Sequence, residues 1–400
     1  MTAIDGTLEQ AEGPRERLLW VLSAATFLIF FQAYMIGPLI PRLSAVFAVS
    51  DQPVGFAVPA YLIPYGVSTL FYGLLSDRIG RRRILLASLI ACILLTALTA
   101  TAQNATQLIL WRLLTGLGAS GVVPLGLALI GNLFPYEQRG RPLGWLFGAM
   151  AGGMAFGSTV GVILEPFVGW RMLFVGVAAL GLVIVLLLWS YRDLLGDPAA
   201  GVPLSLAEVF RGYRDLLINP RGARTYFYVL LNAMFHSGVF TWLGVYFAQR
   251  YALSEIGIGL ALLGYGLPGF LLGPVIGRAA DRWGRRWLIP AGLAIAALAA
   301  AILIPHVPLI AAALAVTALS LGYDMTQPLL AGIVTALGGK RAGQAMGLNV
   351  FTLFVGFGLG SLVFGQIARS GFVSALAVFV AVQIVIAVVA VMAFRAERSK

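Results

Sequence analysis

Gly73-Leu74-Leu75-Ser76-Asp77-Arg78-Ile79-Gly80-Arg81-Arg82-Arg83 is a short charged turn set between two long apolar runs. A second copy, Gly277-Arg278-Ala279-Ala280-Asp281-Arg282-Trp283-Gly284-Arg285-Arg286, follows 204 positions later, counted from Asp77 to Asp281. The register extends well beyond the turn. Ser50 answers Ser254, Asp51 answers Glu255, Tyr61 answers Tyr265, Pro64 answers Pro268, Gly118 answers Gly322 and Pro124 answers Pro328. One offset held over so many positions means a duplicated unit, each half carrying the same elements in the same order.

The composition says what surrounds those elements. Of 400 residues, 60% are hydrophobic and 11% charged, with a mean hydropathy of +0.92. A soluble domain carries about 25% charged residues, so the outer surface of this chain is built to meet lipid. The net charge of +11 does not point to nucleic acid, because the basic residues fall in short clusters between apolar runs, as topology signals do. The one cysteine, Cys92, lies inside an apolar run and is read as a packing residue. The run from about 18 to 40 is too long for a signal-peptide core and shows no cleavage site, so it is read as a first span.

A span needs about 20 apolar residues. That measure places helices near 18–40, 54–75, 84–103, 107–133, 142–166 and 170–191, then near 224–248, 256–277, 287–305, 308–336, 348–367 and 372–394. The expectation is an all-α membrane protein with twelve transmembrane helices in two pseudo-symmetric six-helix bundles. The bundles are residues 18–192 and 224–394, with tails at 1–17 and 395–400 and a linker at 193–223. With both termini inside, only Arg42, Arg112, Arg171, Arg250 and Arg369 of the 27 Lys and Arg fall outside the cytoplasmic segments. This asymmetry fixes a multi-pass protein of the cell membrane with both termini cytoplasmic. In the linker, Ser205-Leu206-Ala207-Glu208 has the capping-box pattern, followed by Val209, Phe210, Tyr213, Leu216 and Leu217 among charges. The segment reads either as an amphipathic helix on the membrane face or as a plain linker.

Two six-helix halves, each with Gly-x-x-x-Asp-Arg-x-Gly-Arg-Arg after its second helix, resemble the major facilitator superfamily over nearly the whole chain. Arg112-x-x-x-Gly116-x-Gly118-Ala119 is similar to the second motif of its twelve-helix drug–proton antiporter branch. Gly169-Trp170-Arg171 and Glu137-Gln138-Arg139-Gly140 are also common there. The branch's helix-5 motif is partly present: Gly144, Gly153, Gly157 and Gly161 fit, while Ser158 stands for its proline and Val162 for its last glycine. An acid often found near position 32 in family antiporters is here Gln32, six residues before Pro38.

The resemblance implies a major facilitator fold in which helices 1, 4, 7 and 10 line a central cavity and the charged turns stabilise the outward-facing state. The gating set is Gly73, Asp77, Arg78, Gly80 and Arg81 with Gly277, Asp281, Arg282, Gly284 and Arg285. The glycines suit tight positions without a Cβ, and the two Asp suit the start of an adjacent helix. The alternative is a set of positive-inside anchors, which is the reading for Arg82, Arg83 and Arg286.

Ionisable groups within spans are costly and therefore informative, at about +2.5 to +3.5 kcal/mol for Asp or Arg at a helix centre. Arg112, His236 and Asp324 fall on helices 4, 7 and 10. Asp324 and His236 are the proton-coupling candidates, a carboxyl that can carry a proton reversibly and an imidazole that titrates near physiological pH. The alternatives are an Asp bonded to Thr326 or a neighbouring hydroxyl, and a histidine that only packs. Arg112 is read as binding an anionic group or pairing with Asp324 as the cavity changes shape. With it, Gln32, Tyr34, Tyr61, Tyr65, Phe235, Trp242, Tyr265 and Tyr323 make the substrate-binding set, suited to a broad apolar ligand or else to lipid contact.

These readings point to a secondary transporter that exports small amphipathic solutes or drugs by alternating access, coupled to protons. It is expected to work as a monomer in the lipid bilayer, with no cofactor beyond the proton gradient and no nucleic acid. A facilitator or importer of a polar metabolite, or a lipid flippase, is the alternative. With two histidines, no His-Glu-x-x-His pattern and no nucleophile–base pair, the chain is not read as an enzyme, and no metal site is expected.

Overall fold

The computed structural model describes residues 2–134, 140–195, 206–339 and 342–397. Glu137, Gln138, Arg139 and Ser205, and the side chains of Asp77, Arg278 and Asp281, lie outside the described residues, and with them the bonds expected of the two turn acids. The first half holds α1 (Thr2–Tyr34), α2 (Ile36–Phe47), α3 (Asp51–Gly55), α4 (Ala57–Ile79), α5 (Arg81–Thr99), α6 (Ala105–Ala119), α7 (Val122–Leu133), α8 (Gly140–Val168) and α9 (Trp170–Ser190). After α10 (Leu206–Ile218), the second half holds α11 (Pro220–Thr241), α12 (Leu243–Tyr251), α13 (Glu255–Ala261) and α14 (Leu267–Trp283). It ends with α15 (Arg285–Ile302), α16 (Leu309–Gly338), α17 (Ala342–Ile367) and α18 (Phe372–Ala393).

Eleven stretches of described helix are long and apolar enough to cross a membrane, and α2 is a shorter apolar helix. The chain folds as an all-α membrane protein. The eighth expected crossing is not one continuous helix. It is made of α13 and α14, which are separated by residues 262–266, where Gly266 takes φ +78°. Gly264, Gly266 and Pro268 crowd this stretch, and the freed Gly266 N–H donates to Ser320 Oγ at 2.9 Å. A side chain from α16 thus caps the break, as a break inside a membrane requires.

The duplication is visible in the backbone itself. Ala48 and Ala252 are the two non-glycine residues of positive φ among the described ones, at 53° and 51°. Ser50 and Ser254 precede α3 and α13 with φ/ψ of −67°/165° and −68°/170°. Gly80 and Gly284 join α4 to α5 and α14 to α15 with φ +107° and +81°, a region other residues rarely adopt. Gly73 and Gly277, expected in the turn, lie within α4 and α14 instead. The helices run on to Ile79 and Trp283, so a single glycine makes each reversal.

Among the described residues, the closest backbone approaches between the halves lie away from these charged turns. A Cβ on Gly37 would reach the backbone of Thr241 and one on Gly244 the backbone of Pro38, so the end of helix 1 lies directly on the end of helix 7. Gly66 and Gly358 let α4 and α17 pack in the same way, and Gly259 brings α13 onto Val162 and Ile163 of α8. Small residues allow backbones this near in lipid, where dispersion rather than hydrophobicity holds helices together. By contrast, a Cβ on Gly144 or Gly148, at the turn-bearing end of α8, would meet nothing within 4 Å.

Polar ties reinforce the closed end. Gln52 Nε2 donates to Gly365 O at 2.7 Å, Arg369 Nε donates to Gln52 Oε1 at 2.5 Å, and Gln249 Nε2 donates to Asp51 Oδ2 at 3.1 Å. Arg42 Nε lies 2.9 Å from Glu165 Oε1 and 3.9 Å from Glu255 Oε1. Glu165 is 1% exposed and belongs to α8, which makes it a second acid within a span beside Asp324.

The linker helix α10 docks on the second half. Val209 is buried, Gln344 Nε2 donates to its carbonyl at 2.7 Å, and Tyr213 and Leu216 pack against Tyr226, Ala345 and Leu348. Nearby, the tail past α18 is clamped. Glu397 accepts from Arg221 Nε and Nη2 at 2.8 and 2.7 Å and from Arg224 Nη2 at 2.6 Å. Its backbone carbonyl accepts from Arg286 N at 3.1 Å.

Hydrogen bonds from Arg221, then Arg224, hold the Glu397 carboxyl below the usual glutamate range despite its burial. The stabilisation is therefore full above the ordinary glutamate pKa of about 4.3 and is lost as pH falls through the lowered folded value. Glu397→Gln should lower the thermal unfolding midpoint at pH 7, each charged hydrogen bond lost costing about 1.5–3 kcal/mol, with the gap from wild type closing in acid. An equal midpoint at pH 7 would show that the clamp contributes no stability.

Candidate functional site

The polar residues near the middle of the chain's crossings form two related arrangements, one in each half. In the first, α6 carries Arg112, 1% exposed. Its Nη1 donates to Gln32 Oε1 at 2.6 Å and to Gln32 O at 3.2 Å, while Nη2 donates to Ala33 O at 3.2 Å. The guanidinium lies 4.3 Å from the centroid of the Tyr61 ring. A planar fork of donors suits two acceptors on one helix, and the ring face adds cation–π attraction. No carboxylate lies within 4 Å of Arg112 among the described residues.

The second half repeats this geometry with different chemistry. His236 and Tyr265 stand 204 positions after Gln32 and Tyr61. Here the two side chains meet directly, His236 Nε2 lying 2.5 Å from Tyr265 Oη. The imidazole also stacks on Tyr323, with centroids 3.8 Å apart.

Rings connect the two arrangements across the seam. Tyr61 neighbours Tyr65, which stacks on Phe354 at 4.2 Å. Phe354 touches Phe357, which meets Tyr34, His236 and Tyr323. Phe240 closes the set by stacking on Tyr265 at 3.9 Å and meeting Tyr34 at 5.7 Å. Within this buried group, Arg112 Nε, the hydroxyls of Tyr34 and Tyr65, and His236 Nδ1 have no hydrogen-bond partner among the described residues.

Asp324 stands beside this group. Ser320 Oγ donates to its Oδ2 at 3.1 Å, and the same hydroxyl accepts from Gly266 N. The carboxyl lies against Gly269 of α14, so closely that a Cβ there would strike it. Asp324 thus reaches through one hydroxyl to the break in helix 8, and Gly266 in turn lies on Ala155 of α8, across the seam. Among the described residues, no three His, Cys, Asp or Glu gather to hold a metal.

Arg112 and Asp324 are not paired in this arrangement of the cavity. Arg112 turns from α6 to helix 1, and Asp324 turns from α16 to α14. Thr326 is not the partner of Asp324 either: it accepts from Asn232 Nδ2 at 2.8 Å and donates to the carbonyls of Gly322 and Tyr323. Tyr34, Tyr61, Tyr65, Tyr265 and Tyr323 come together, but Phe235 is buried without a ring contact to the group. Trp242 is wedged between Gly55 and Gly365 at the closed end, its indole donating to Ser361 O at 3.0 Å. Ser320, Asn232, Phe240, Phe354 and Phe357 belong to the site and were not singled out from the sequence. Only Ser320 carried a local signal, one helical turn before Asp324.

The family model of the Major Facilitator Superfamily matches residues 22–257 and 229–400. The chain is 26% identical over 358 residues to the MFS-type transporter YceJ of Bacillus subtilis (strain 168), covering 88% of this chain and 89% of that one. It is 34% identical over 126 residues to Multidrug resistance protein 3 of the same organism, covering 31% of this chain and 24% of that protein. A crystal structure of a bacterial homolog to the human lysosomal transporter Spinster superposes with a TM-score of 0.78 at 19% identity, covering 96% of this chain and 98% of that one. The chain therefore belongs to the Major Facilitator Superfamily, as a multi-pass membrane transporter and not an enzyme.

Proposed function

We propose that this transporter exports small amphipathic solutes by alternating access, driven by inward proton flow. The charged turns and both termini then face the cytoplasm of a cell-membrane protein working as a monomer, with no cofactor beyond the proton gradient. The observation that carries the coupling is the chain from Asp324 through Ser320 to Gly266. A carboxylate at Asp324 accepts from Ser320 and keeps that hydroxyl's lone pair aimed at the helix-8 break. A protonated carboxyl becomes a donor, frees the hydroxyl to reorient, and loosens the cap on a break that packs across the seam. Proton state and the packing of the two halves are thereby linked through groups with two arrangements.

The aromatic group suits the solute. Rings from both halves offer apolar faces, while Arg112 Nε, two tyrosine hydroxyls and His236 Nδ1 offer a few unsatisfied polar contacts. A solute lodged there contacts both halves and can favour one arrangement over the other. The local likeness to a multidrug resistance protein agrees with an exported, chemically broad cargo.

Two observations favour the second reading, an uncoupled facilitator or importer, or a flippase. Helix 1 presents Gln32 rather than an acid to Arg112, and α8 continues unbroken through Ser158, whose hydroxyl donates back to Ala155 O at 2.8 Å.

In proteoliposomes, Asp324→Asn should abolish pH-driven flux of a hydrophobic dye while leaving dye exchange at equal pH intact. Undiminished pH drive would remove Asp324 from coupling, and the absence of any solute-induced pH change in wild type would favour the facilitator. Arg112→Lys keeps the charge but cannot span Gln32 and Ala33 as a fork. It should cut dye flux by about tenfold or more, in protein that still elutes as a folded monomer; normal flux would show that the fork is dispensable.

A further inference from the structure

A groove of about 510 Å³ opens on the flank of the second half, away from the aromatic group. It is lined by Arg282, Trp283, Arg286 and Trp287 beside the turn, which make its rim by their place at the helix ends, and by Leu288 and Met325 further along α15 and α16, which make its floor. The level of the groove follows from the helices. α14 ends at Trp283, and the apolar crossing of α15 begins at Arg285. The rim therefore lies where hydrocarbon gives way to headgroups, and the floor lies a turn deeper. At that level indoles are favoured, having an apolar body and a polar N–H. Both are open, Trp283 at 58% and Trp287 at 56% exposure. The Arg286 guanidinium lies 5.4 Å from the Trp287 ring centroid. Neither arginine has a carboxylate within 4 Å among the described residues.

The duplicated half provides an internal control. Arg282 and Arg286 correspond to Arg78 and Arg82, but Trp283 and Trp287 correspond to Ile79 and Arg83. The turn can be built without either tryptophan, so the two indoles are additions to this copy and not a requirement of the reversal at Gly284. Two cations, two interfacial indoles and an apolar floor match, in order of depth, a phosphate, a glycerol ester region and an acyl chain.

We propose that this groove is a binding site for one anionic phospholipid, its phosphate held by Arg282 and Arg286, its ester region by Trp283 and Trp287, and its chain laid over Leu288 and Met325. The site does not depend on the direction of transport or on Asp324. A basic pocket between helix ends is a recurrent headgroup site, and the floor makes the occupant a lipid and not a free phosphate.

The full chain is reconstituted in phosphatidylcholine nanodiscs and its thermal unfolding followed as phosphatidylglycerol replaces part of the lipid. The midpoint should rise with phosphatidylglycerol in wild type and in Arg78→Gln/Arg82→Gln, but not in Arg282→Gln/Arg286→Gln, where lipid binding read by native mass spectrometry should weaken about ten- to thirtyfold. Inorganic phosphate should not reproduce the shift. A second readout needs no arginine variant: brominated phosphatidylglycerol should quench tryptophan emission more than brominated phosphatidylcholine, with the excess lost in Trp283→Phe/Trp287→Phe. An equal shift in both arginine pairs, a shift with phosphate alone, or an excess quench surviving the tryptophan changes would each overturn the site.

Discussion

Two backbones pressed together in lipid are the condition on which the rest of this structure rests. Gly37 lies on Thr241 and Gly244 on Pro38, so helices 1 and 7 touch at their ends away from the charged turns with no side chain between them. Hydrocarbon offers no hydrophobic drive for helix association, and close contact is what remains. The same device recurs where α4 meets α17 and α13 meets α8. Contact of this kind is lost steeply with separation, which makes the seam something that is either closed or open. Polar ties through Gln52, Asp51 and Arg42 lie at the same end and close with it.

Buried charge is handled by the opposite means, through fixed polar partners. Arg112 is wrapped by one side-chain amide, two carbonyls and a ring face, which disperse its charge without neutralising it. Asp324 has one hydroxyl and the close backbone of Gly269. The two charges are thus kept on separate helix pairs, each set beside the seam. At related positions, Gln32 with Tyr61 and His236 with Tyr265 show one duplicated scaffold turned to different chemistry. A cation and an aromatic face occupy one half, an imidazole–phenol pair the other.

Much of the fold is legible in the sequence because a repeat offset is a global signal. Ala48 with Ala252, Ser50 with Ser254 and Gly80 with Gly284 share backbone angles as well as register. The interruption of helix 8 was less legible, since Gly264, Gly266 and Pro268 also occur in unbroken membrane helices. The site was legible by helix but not by face. Arg112 and Asp324 fall on the helices expected, yet here each meets a different helix, because sequence position does not tell which neighbour a long side chain meets. Trp242 was misplaced for the same reason: its ring fills the gap between Gly55 and Gly365, two glycines more than 300 positions apart in sequence. Phe354 and Phe357 carry no mark that separates them from lipid-facing rings.

The central claim is that the halves rock about the glycine-lined seam, so that opening one end closes the other. Spin-label distances test it in a Cys92→Ala background, with one pair at Ile79 and Trp283 and a second at Val49 and Ile256, all exposed positions. A wedge at the seam, Gly244→Trp, should lengthen the Val49–Ile256 distance and shorten the Ile79–Trp283 distance in the same protein. Lengthening at the wedged end with no change, or with a parallel lengthening, at the charged turns would contradict the account.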